Sequence, residues 1–362
     1  MATAAAAEHG SDFHELTALR NLFECWLEAS RNKGGRERIQ RFASDPLTYL
    51  CTIQDRLRAR RCTFGPYRTF TVREKKHRDV VDAPMKDRIV HWMLYRYLLP
   101  IWQPRFVADT FGNLPGRGTH AAIARLADFC RDAGELWALQ LDISKYFYAV
   151  PHARLKERVL RHVGDHQVRA LILDLIDSFR TDDRYDALFP DDSAYRSTAA
   201  KGMPIGNLSS QLFANIFLDP FDHWVKESLR IRRYLRYVDD LVMLHESPAQ
   251  LNAWRAAIDA FLRDRLGIQL NPVKTVLQPL ERGLDFAGQV IRPHHSTMRR
   301  RTLNSALDRL QRIPEEDIAA AANSYLGLAR QASHGHRAQA RICNVVRRRG
   351  FSVDHNLTKV YA

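Results

Sequence analysis

Apolar side chains recur at helical spacing through the first fifty residues. The pattern runs through Leu16, Leu19, Leu22, Phe23, Trp26 and Leu27. Positions three and four apart share one face of a helix. The sequence NKGG at 32–35 interrupts the pattern, because asparagine and glycine favour turns. Residues 1–50 are therefore predicted to be helical with one break.

Beyond this segment, short strand patterns are mixed with longer helical ones. The predicted strands are 68–73 and 79–83, joined by a basic turn at 74–78; 136–141; 234–238 and 241–244, a hairpin with two aspartates at its tip; and a pair within 283–291. The predicted helices are 89–102, one starting near His120 after the loop 111–119, 155–179, the long helix within 205–229, 249–265, and an arginine-rich tail at 303–349. The polar, acidic stretch 181–200 is predicted to be a loop.

The formal charge of +14 is concentrated in two segments. Residues 52–120 carry 14 Lys and Arg against 6 Asp and Glu, and residues 292–362 carry 13 against 5. Basic flanks around a slightly acidic middle suit a protein that grips a polyanion and presents carboxylates to cations. A generally basic, solvated surface explains the charge equally well.

Composition excludes several other classes. The five cysteines are scattered without a CxxC pair, which predicts reduced, partly buried thiols rather than disulfides or a zinc site. The fifteen histidines show no metal-ligand spacing. No stretch reaches the roughly 18 to 20 apolar residues of a membrane span, and no basic leader precedes the alanine run at the start. We therefore expect a soluble cytoplasmic protein with no membrane contact.

Three aspartates supply the candidate chemistry. Asp142 follows a predicted strand, while Asp239 and Asp240 lie at the tip of the predicted hairpin. Acceptor-only carboxylates suit a pair of Mg²⁺ ions about 3.5 to 4 Å apart, as phosphoryl transfer requires. Asp-Asp is also a common turn sequence, so the hairpin alone carries little weight.

Seven motifs in one order resemble those of reverse transcriptases and cover roughly residues 60–345. They are FTVREKKHR at 70–78 with DRIVH at 87–91, FGNLPGRGT at 111–119, LDISKYF at 141–147, GMPIGNLSSQ at 202–211, YVDD at 237–240, LNPVKT at 270–275 and FAGQV at 286–290. The resemblance implies an α+β right-hand polymerase fold. Its expected parts are a helical segment at 1–50, fingers at 51–130, a palm with an antiparallel sheet at 131–292, and a short basic helical thumb at 293–362.

The resemblance also implies roles for individual residues. Asp142, Asp239 and Asp240 would hold two Mg²⁺ ions, with Mn²⁺ as a substitute and the Ile143 carbonyl as an added ligand. Lys274 would protonate the leaving pyrophosphate. The incoming dNTP would contact Lys76, Arg78, Tyr146, Phe147, Ile205, Gly206 and Gln211, where the Phe147 ring leaves no room for a 2′ hydroxyl. The RNA/cDNA duplex would contact Arg117, Gly288, Arg299, Arg300 and Arg301. By strand alternation, one or two of the three aromatics at 146–148 must instead belong to the core.

One motif departs from the broad family. Most reverse transcriptases have Gln-Gly where this chain has Ile205-Gly206, and an aliphatic side chain cannot donate the amide hydrogen bond. The variant IGNLSSQ, with SYLG at 324–327 and ASHG at 332–335, is similar to the reverse transcriptases of diversity-generating retroelements. That resemblance implies error-prone copying of a template RNA and an accessory protein as partner.

Three other functions stay open on the sequence. An antiphage-defence or retron-like reverse transcriptase would share the same palm chemistry. An RNA-dependent RNA polymerase would accept NTPs, which Phe147 argues against. A non-catalytic RNA-binding scaffold would use the basic flanks without chemistry, and the three intact aspartates argue against it.

Overall fold

A computed structural model describes residues 12–73, 77–131, 134–181 and 200–361. The helices are α1 (Asp12–Leu16), α2 (Leu19–Ser30), α3 (Glu37–Ser44), α4 (Pro46–Arg58), α5 (Met85–Trp102), α6 (Thr119–Cys130), α7 (Tyr146–Ala149), α8 (His152–Leu160), α9 (His166–Asp177), α10 (Leu208–Glu227), α11 (Pro248–Phe261), α12 (Arg300–Arg312), α13 (Glu315–Arg330) and α14 (His336–Arg348). The strands are β1 (Arg68–Arg73), β2 (His77–Asp82), β3 (Thr110–Phe111), β4 (Trp137–Asp142), β5 (Tyr234–Tyr237), β6 (Asp240–His245), β7 (Val276–Pro279), β8 (Leu284–Phe286), β9 (Gln289–Ile291), β10 (Ser296–Met298), β11 (Ser352–Val353) and β12 (Val360–Tyr361).

The chain forms two compact units, each built from segments that are distant in sequence. The first unit comprises the described parts of 1–108, 143–228 and 258–271. The second comprises those of 109–142, 229–257 and 272–362. The four segments expected from the sequence stay a prediction.

The first unit is mainly helical. Its central helix α10 packs against α5 and α8, and both α5 and α10 are apolar on most of their surface because helices cover them on several sides. The strands β1 and β2 pair antiparallel, with Arg68 opposite Asp82. At the start of α4, Asp45 accepts a hydrogen bond from the Thr48 amide at 3.2 Å, which caps the helix.

The second unit contains a five-stranded sheet in the order β3-β5-β6-β4-β7. Its apolar core includes α6 and the hairpin β8–β9. A third strand, β10, extends that hairpin. Helices α12, α13 and α14 build a separate apolar cluster around Leu310, Leu326 and Ile342. The short pair β11–β12 contributes Val360 to this cluster.

Several predicted boundaries were wrong. The single helix expected at 155–179 is two helices, because Asp165 accepts hydrogen bonds from the amides of Gln167 and Val168 and begins α9. The strand expected at 79 begins at His77. The helical tail is divided into three helices. Most of the acidic loop expected at 181–200 lies outside the described residues.

Two observations concern the cysteines and the hydropathy of the helices. All five cysteines are free thiols, and burial raises the pKa of Cys25 to about 11 and of Cys130 to about 12. Within the part of the chain that the structure describes, no helix combines the length and apolar character needed to cross a bilayer.

Candidate catalytic site

Two carboxylates face each other across neighbouring strands of the five-stranded sheet. Asp142 is the last residue of β4 and Asp240 the first of β6, and the two are direct antiparallel partners. Such partners have Cα atoms about 4.5 to 5.5 Å apart and side chains on one face. Asp239 immediately precedes β6 in the turn after Tyr237. The sheet register therefore brings the three aspartates, separated by about a hundred residues of sequence, to one end of the sheet.

The turn that carries Asp239 is held in an unfavourable backbone conformation. Val238 has φ of 56°, a left-handed value that β-branched residues avoid. Its amide donates to the Phe111 carbonyl at 3.1 Å, and its carbonyl accepts from the Arg236 guanidinium at 2.9 Å. A Cβ added at Gly112 would lie only 2.6 Å from Val238 Cγ2. Tertiary contacts, rather than local preference, thus fix this turn.

The Arg236 side chain supports this turn by its hydrogen bond to the Val238 carbonyl. It is completely buried and lies on β5, between β3 and β6 in the sheet. Its amide donates to the Asp109 carbonyl at 3.0 Å, and the Asp109 carboxylate pairs with Arg125 at 2.7 Å. The loop before α6 and the aspartate hairpin are therefore joined by one polar network.

Lys274 brings a positive charge to the three aspartates. Its ammonium forms an ion pair with the Asp142 carboxylate. Partial burial opposes the charged form, but the hydrogen bond to Asp142 and the negative charges of Asp142, Asp239 and Asp240 outweigh it and raise the pKa of Lys274. Lys274 therefore carries its proton at neutral pH.

The donor chemistry of these aspartates suits hard divalent cations, since carboxylate oxygens are the ligands that Mg²⁺ prefers. The ammonium of Lys274 shows that this end of the sheet attracts a cation. Within the described residues, no group of three His, Cys, Asp or Glu side chains is arranged to enclose a metal ion. The Lys274 ammonium donates a hydrogen bond to one oxygen of Asp142.

The first unit contains most of the expected nucleotide-binding residues. Gly206 has φ of 109°, and an added Cβ would lie 2.9 Å from Val80 and 3.2 Å from the Val81 carbonyl. The Ile205 carbonyl accepts from the Val81 amide at 2.8 Å. This contact ties the turn before α10 to β2. Glycine is needed at position 206 because its φ is positive and because β2 lies too close to leave room for a Cβ.

Gly206 and Gln211 line one small cavity of about 180 Å³ in this unit, together with Lys33 and Arg88. Burial, followed by the charges of Arg88 and nearby arginines, lowers the pKa of Lys33. Arg88 pairs with Asp82. Sequence reasoning missed both basic residues, because neither stands in a motif position to which the resemblance assigns a role.

The aromatic residues after Asp142 divide between core and surface. Tyr146 is buried, and its hydroxyl donates to the Ala214 carbonyl at 2.6 Å. It is a core residue, but residues 146–149 form helix α7, so the strand alternation expected for these aromatics is wrong. Phe147 is half-buried and packs edge-to-face on Tyr146 at 5.6 Å. Its carbonyl accepts from the Met203 amide at 2.7 Å. Ile143 is buried and pairs with Leu270 in an isolated antiparallel bridge.

Lys76 and Arg78 are the two expected contacts to the triphosphate. Lys76 lies outside the described residues. Arg78 is placed by its backbone alone, in β2 opposite Val72. Their role as a clamp on the triphosphate stays a prediction.

The residues expected to contact nucleic acid occupy different environments in the second unit. The amide of Gly112 donates to the Arg117 carbonyl at 2.8 Å. Gly288 lies in the β8–β9 turn, and a Cβ there would lie 3.1 Å from Leu328. Arg299 pairs with Asp285 at 2.7 Å. Arg300 and Arg301 are exposed in the first turn of α12.

His91, to which the sequence assigned no role, contacts a second motif of the first unit. Burial lowers the pKa of His91 to about 3, so its ring is neutral. Its Nδ1 lies 2.6 Å from the Ser209 hydroxyl. A histidine in an apolar helix carried no sequence signal beyond its place in DRIVH.

A sheet that is antiparallel except where β3 pairs with β5, with three aspartates at one end and α6 in its apolar core, is the arrangement of a polymerase palm. The chain belongs to the reverse transcriptase (RNA-dependent DNA polymerase) family, whose model matches residues 72–319. This match confirms the family expected from the seven motifs and its α+β right-hand polymerase fold.

Similar proteins include two curated relatives and a solved structure. Protein YkfC of Escherichia coli K12 is 27% identical over 267 residues, which cover 64% of this chain and 66% of YkfC. An uncharacterized 91 kDa protein in the cob intron of Schizosaccharomyces pombe is 26% identical over 142 residues, 39% of this chain and 16% of that protein. The apo telomerase of Candida tropicalis, truncated from its C-terminal domain, has a TM-score of 0.47 at 12% identity, covering 64% of this chain and 55% of that one. The chain thus spans just under two thirds of YkfC and a small part of the intron protein.

Proposed function

We propose that the chain is an RNA-directed DNA polymerase that copies a template RNA into cDNA from dNTPs. The pairing of Asp142 with Asp240, beside Asp239, is the observation that carries this proposal. Family membership supports it. Bound Mg²⁺, or Mn²⁺ in its place, would activate the primer 3′ hydroxyl and stabilise the leaving pyrophosphate.

The protein's own residues divide the remaining work. Asp142 and Asp239 would hold the ions directly, Asp240 would complete the charge of the site, and the Ile143 carbonyl would add an oxygen. The Lys274 ammonium lies beside Asp142, so Nζ would be the proton donor for the leaving pyrophosphate. Phe147 excludes the 2′ hydroxyl of an NTP, and Gly206 lets the backbone approach the new base pair.

The finer proposal is error-prone copying in a diversity-generating retroelement, together with an accessory protein. Ile205 supports it, because its aliphatic side chain offers no hydrogen bond to an incoming nucleotide. Fewer polar contacts at this position weaken the discrimination between correct and incorrect bases.

Incubation of the purified chain with a primed RNA template, Mg²⁺ and dNTPs tests the general proposal. We expect RNase-resistant DNA that is complementary to the template, and no product when NTPs replace dNTPs. Absence of template-dependent DNA under all metal conditions contradicts it. Sequencing of the cDNA tests the finer proposal, which predicts an excess of errors opposite adenine; an even error spectrum contradicts it.

A further inference from the structure

A large cavity in the first unit has a lining that includes none of Asp142, Asp239 and Asp240. It has a volume of about 660 Å³, which is in the range of small-ligand sites. Helices α3 and α4, the segment before β1 and the start of α5 line it. None of the functions assigned above uses α3 or α4.

The lining of this cavity is predominantly cationic. Its charged residues are Arg38, Arg41, Arg56, Arg68 and Lys86, against Glu37 and Asp87. Arg38 pairs with Asp82 outside the lining, and Arg41 with Glu37 at 3.6 Å. Among the residues that the structure describes, Arg56 and Arg68 form no ion pair, and both are exposed. Two guanidinium groups at the cavity are therefore available to an anionic ligand.

An aromatic platform borders the same cavity. Tyr49 of α4 lines it and is 40% exposed. Its ring stacks on Phe42 with centroids 4.9 Å apart and planes inclined by 23°. Phe42 stacks in turn on Trp26 at 5.8 Å. The buried Phe42 ring supports the Tyr49 ring, and the exposed portion of Tyr49 is open to a flat ligand.

One buried acceptor completes the lining. The Asp87 side chain is only 1% exposed, and one of its oxygens accepts from the Gly65 amide at 2.7 Å. Its other oxygen has the Lys86 ammonium at 3.9 Å, beyond hydrogen-bond length. This oxygen suits the exocyclic amino group of a nucleobase.

We propose that this cavity binds one unpaired nucleotide of a single-stranded RNA. The base stacks on Tyr49, and the adjoining phosphates contact Arg56 and Arg68. Aromatic stacking combined with cationic groups that follow the backbone is how proteins bind single strands without strong sequence preference. That the strand is RNA rests on the proposed function; the stacking and charge arguments do not depend on catalysis.

Binding of a fluorescent single-stranded RNA of roughly 12 nucleotides, followed by anisotropy in EDTA without dNTPs, tests the proposal. Tyr49→Ala should weaken binding about tenfold, because stacking contributes at this level, whereas Tyr49→Trp should retain it. Tyr361→Ala removes an aromatic of similar exposure from β12 and is the matched control. A duplex RNA of equal length should show no loss with Tyr49→Ala.

The arginines are tested by salt dependence. Replacing Arg56 and Arg68 by glutamine should lower the slope of log affinity against log salt by about 1.4, or roughly 0.7 per phosphate contact. Arg20→Gln, at an exposed arginine of α2, should leave the slope unchanged.

Photo-crosslinking of wild-type protein with a 4-thiouridine strand provides a measurement that needs no variant. Crosslinks should map to the α3–α4 region around Tyr49. Asp239→Asn should bind the strand like wild type, so loss of polymerase activity and loss of this site are distinguishable. Equal single-strand affinity of wild type and Tyr49→Ala, or crosslinks confined to other segments, overturns the proposal.

Discussion

At the scale of single residues, the charge around the aspartates is balanced by Lys274. Three carboxylates at one end of a sheet repel one another, and the ammonium that pairs with Asp142 offsets part of this repulsion. The same ammonium competes with any divalent ion for an oxygen of Asp142. Lys274 therefore stabilises the three carboxylates when no metal is bound, and the same ion pair lowers their affinity for a metal ion.

Lys274→Gln should consequently tighten Mn²⁺ binding by about fivefold, since a partly exposed ion pair contributes about 1 kcal/mol or less. Titration followed by Mn²⁺ electron paramagnetic resonance measures this change. Lys156→Gln breaks another lysine–aspartate pair, with Asp177 at 2.6 Å, and should leave the affinity unchanged. Weaker Mn²⁺ binding by Lys274→Gln would show that the ammonium does not compete with the ion.

Asp87 gives a pH-dependent prediction for stability. Burial, opposed by the Gly65 hydrogen bond, raises the pKa of Asp87 to about 6 from its ordinary 3.8. A raised folded-state pKa means that stability present at low pH is lost as pH rises through about 6. Asp87→Asn should therefore gain stability over wild type by about 2 to 3 kcal/mol between pH 4 and pH 7.5.

Urea unfolding of both proteins at several pH values measures this difference. Asp55→Asn, in the exposed part of α4, is the matched control. A difference that shrinks as pH rises would contradict the assignment of a raised pKa to Asp87.

Phe147 makes the proposed sugar selection testable. Phe147→Ala should allow NTP incorporation and reduce discrimination against ribose about tenfold or more, because the ring no longer occupies the space of a 2′ hydroxyl. Single-nucleotide extension with dNTP and NTP measures the ratio. Phe179→Ala, at another half-buried phenylalanine of the first unit, should preserve it. An unchanged ratio in Phe147→Ala would remove this role from the residue.

At the scale of elements, local patterns predicted the existence of most helices and strands but not their ends. The Tyr234–His245 hairpin was predictable because apolar runs flank a short polar turn. The ends of β2 are set by its pairing with β1. The pattern of apolar and polar residues within 79–83 does not show how far this pairing extends. Gly164 followed by Asp165 indicates a break between α8 and α9, because Asp165 caps the start of α9. The helical spacing of apolar residues continues on both sides of this pair, so the sequence was read as one helix.

The candidate site was only partly predictable for the same reason. The three aspartates occupy motif positions, so the resemblance identified them. Arg236 stands where alternation in a half-exposed strand predicts a solvent-facing side chain, yet it is fully buried. Its amide donates to the Asp109 carbonyl, and β5 pairs there with the two-residue strand β3, a contact between distant segments that the pattern of a single strand does not reveal.

The contact between the loop 111–119 and the aspartate turn gives an element-scale prediction. Gly112→Ala should destabilise the protein by more than about 2 kcal/mol, from a left-handed backbone and from overlap with Val238. Gly116 also has a positive φ, but a Cβ added there meets no atom within 4 Å. Gly116→Ala should therefore lower the free energy of unfolding by only about 1 to 2 kcal/mol.

Adding Val238→Gly to Gly112→Ala should recover part of the loss, because the overlapping methyl group is removed. Thermal unfolding of the single and double variants measures this coupling. Strictly additive effects would contradict the contact between these two residues.

At the scale of the whole molecule, the basic flanks and the aspartate centre have a common explanation. The segments 52–120 and 292–362 each carry an excess of eight positive charges, whereas the sheet presents three carboxylates at one end. A polyanionic substrate that reacts at a cation-dependent centre requires both features. Affinity for template and primer should therefore depend on the flanks, and chemistry on the aspartates.

Single-turnover primer extension on an RNA template with Mg²⁺ tests this account most directly. Asp239→Asn should lower the rate more than about 100-fold, since even outer partners of a metal site contribute 10- to 100-fold, while template affinity stays unchanged. Asp308→Asn, an exposed aspartate of α12, should extend primers like wild type. Equal rates for wild type and Asp239→Asn would contradict the assignment of catalysis to these carboxylates.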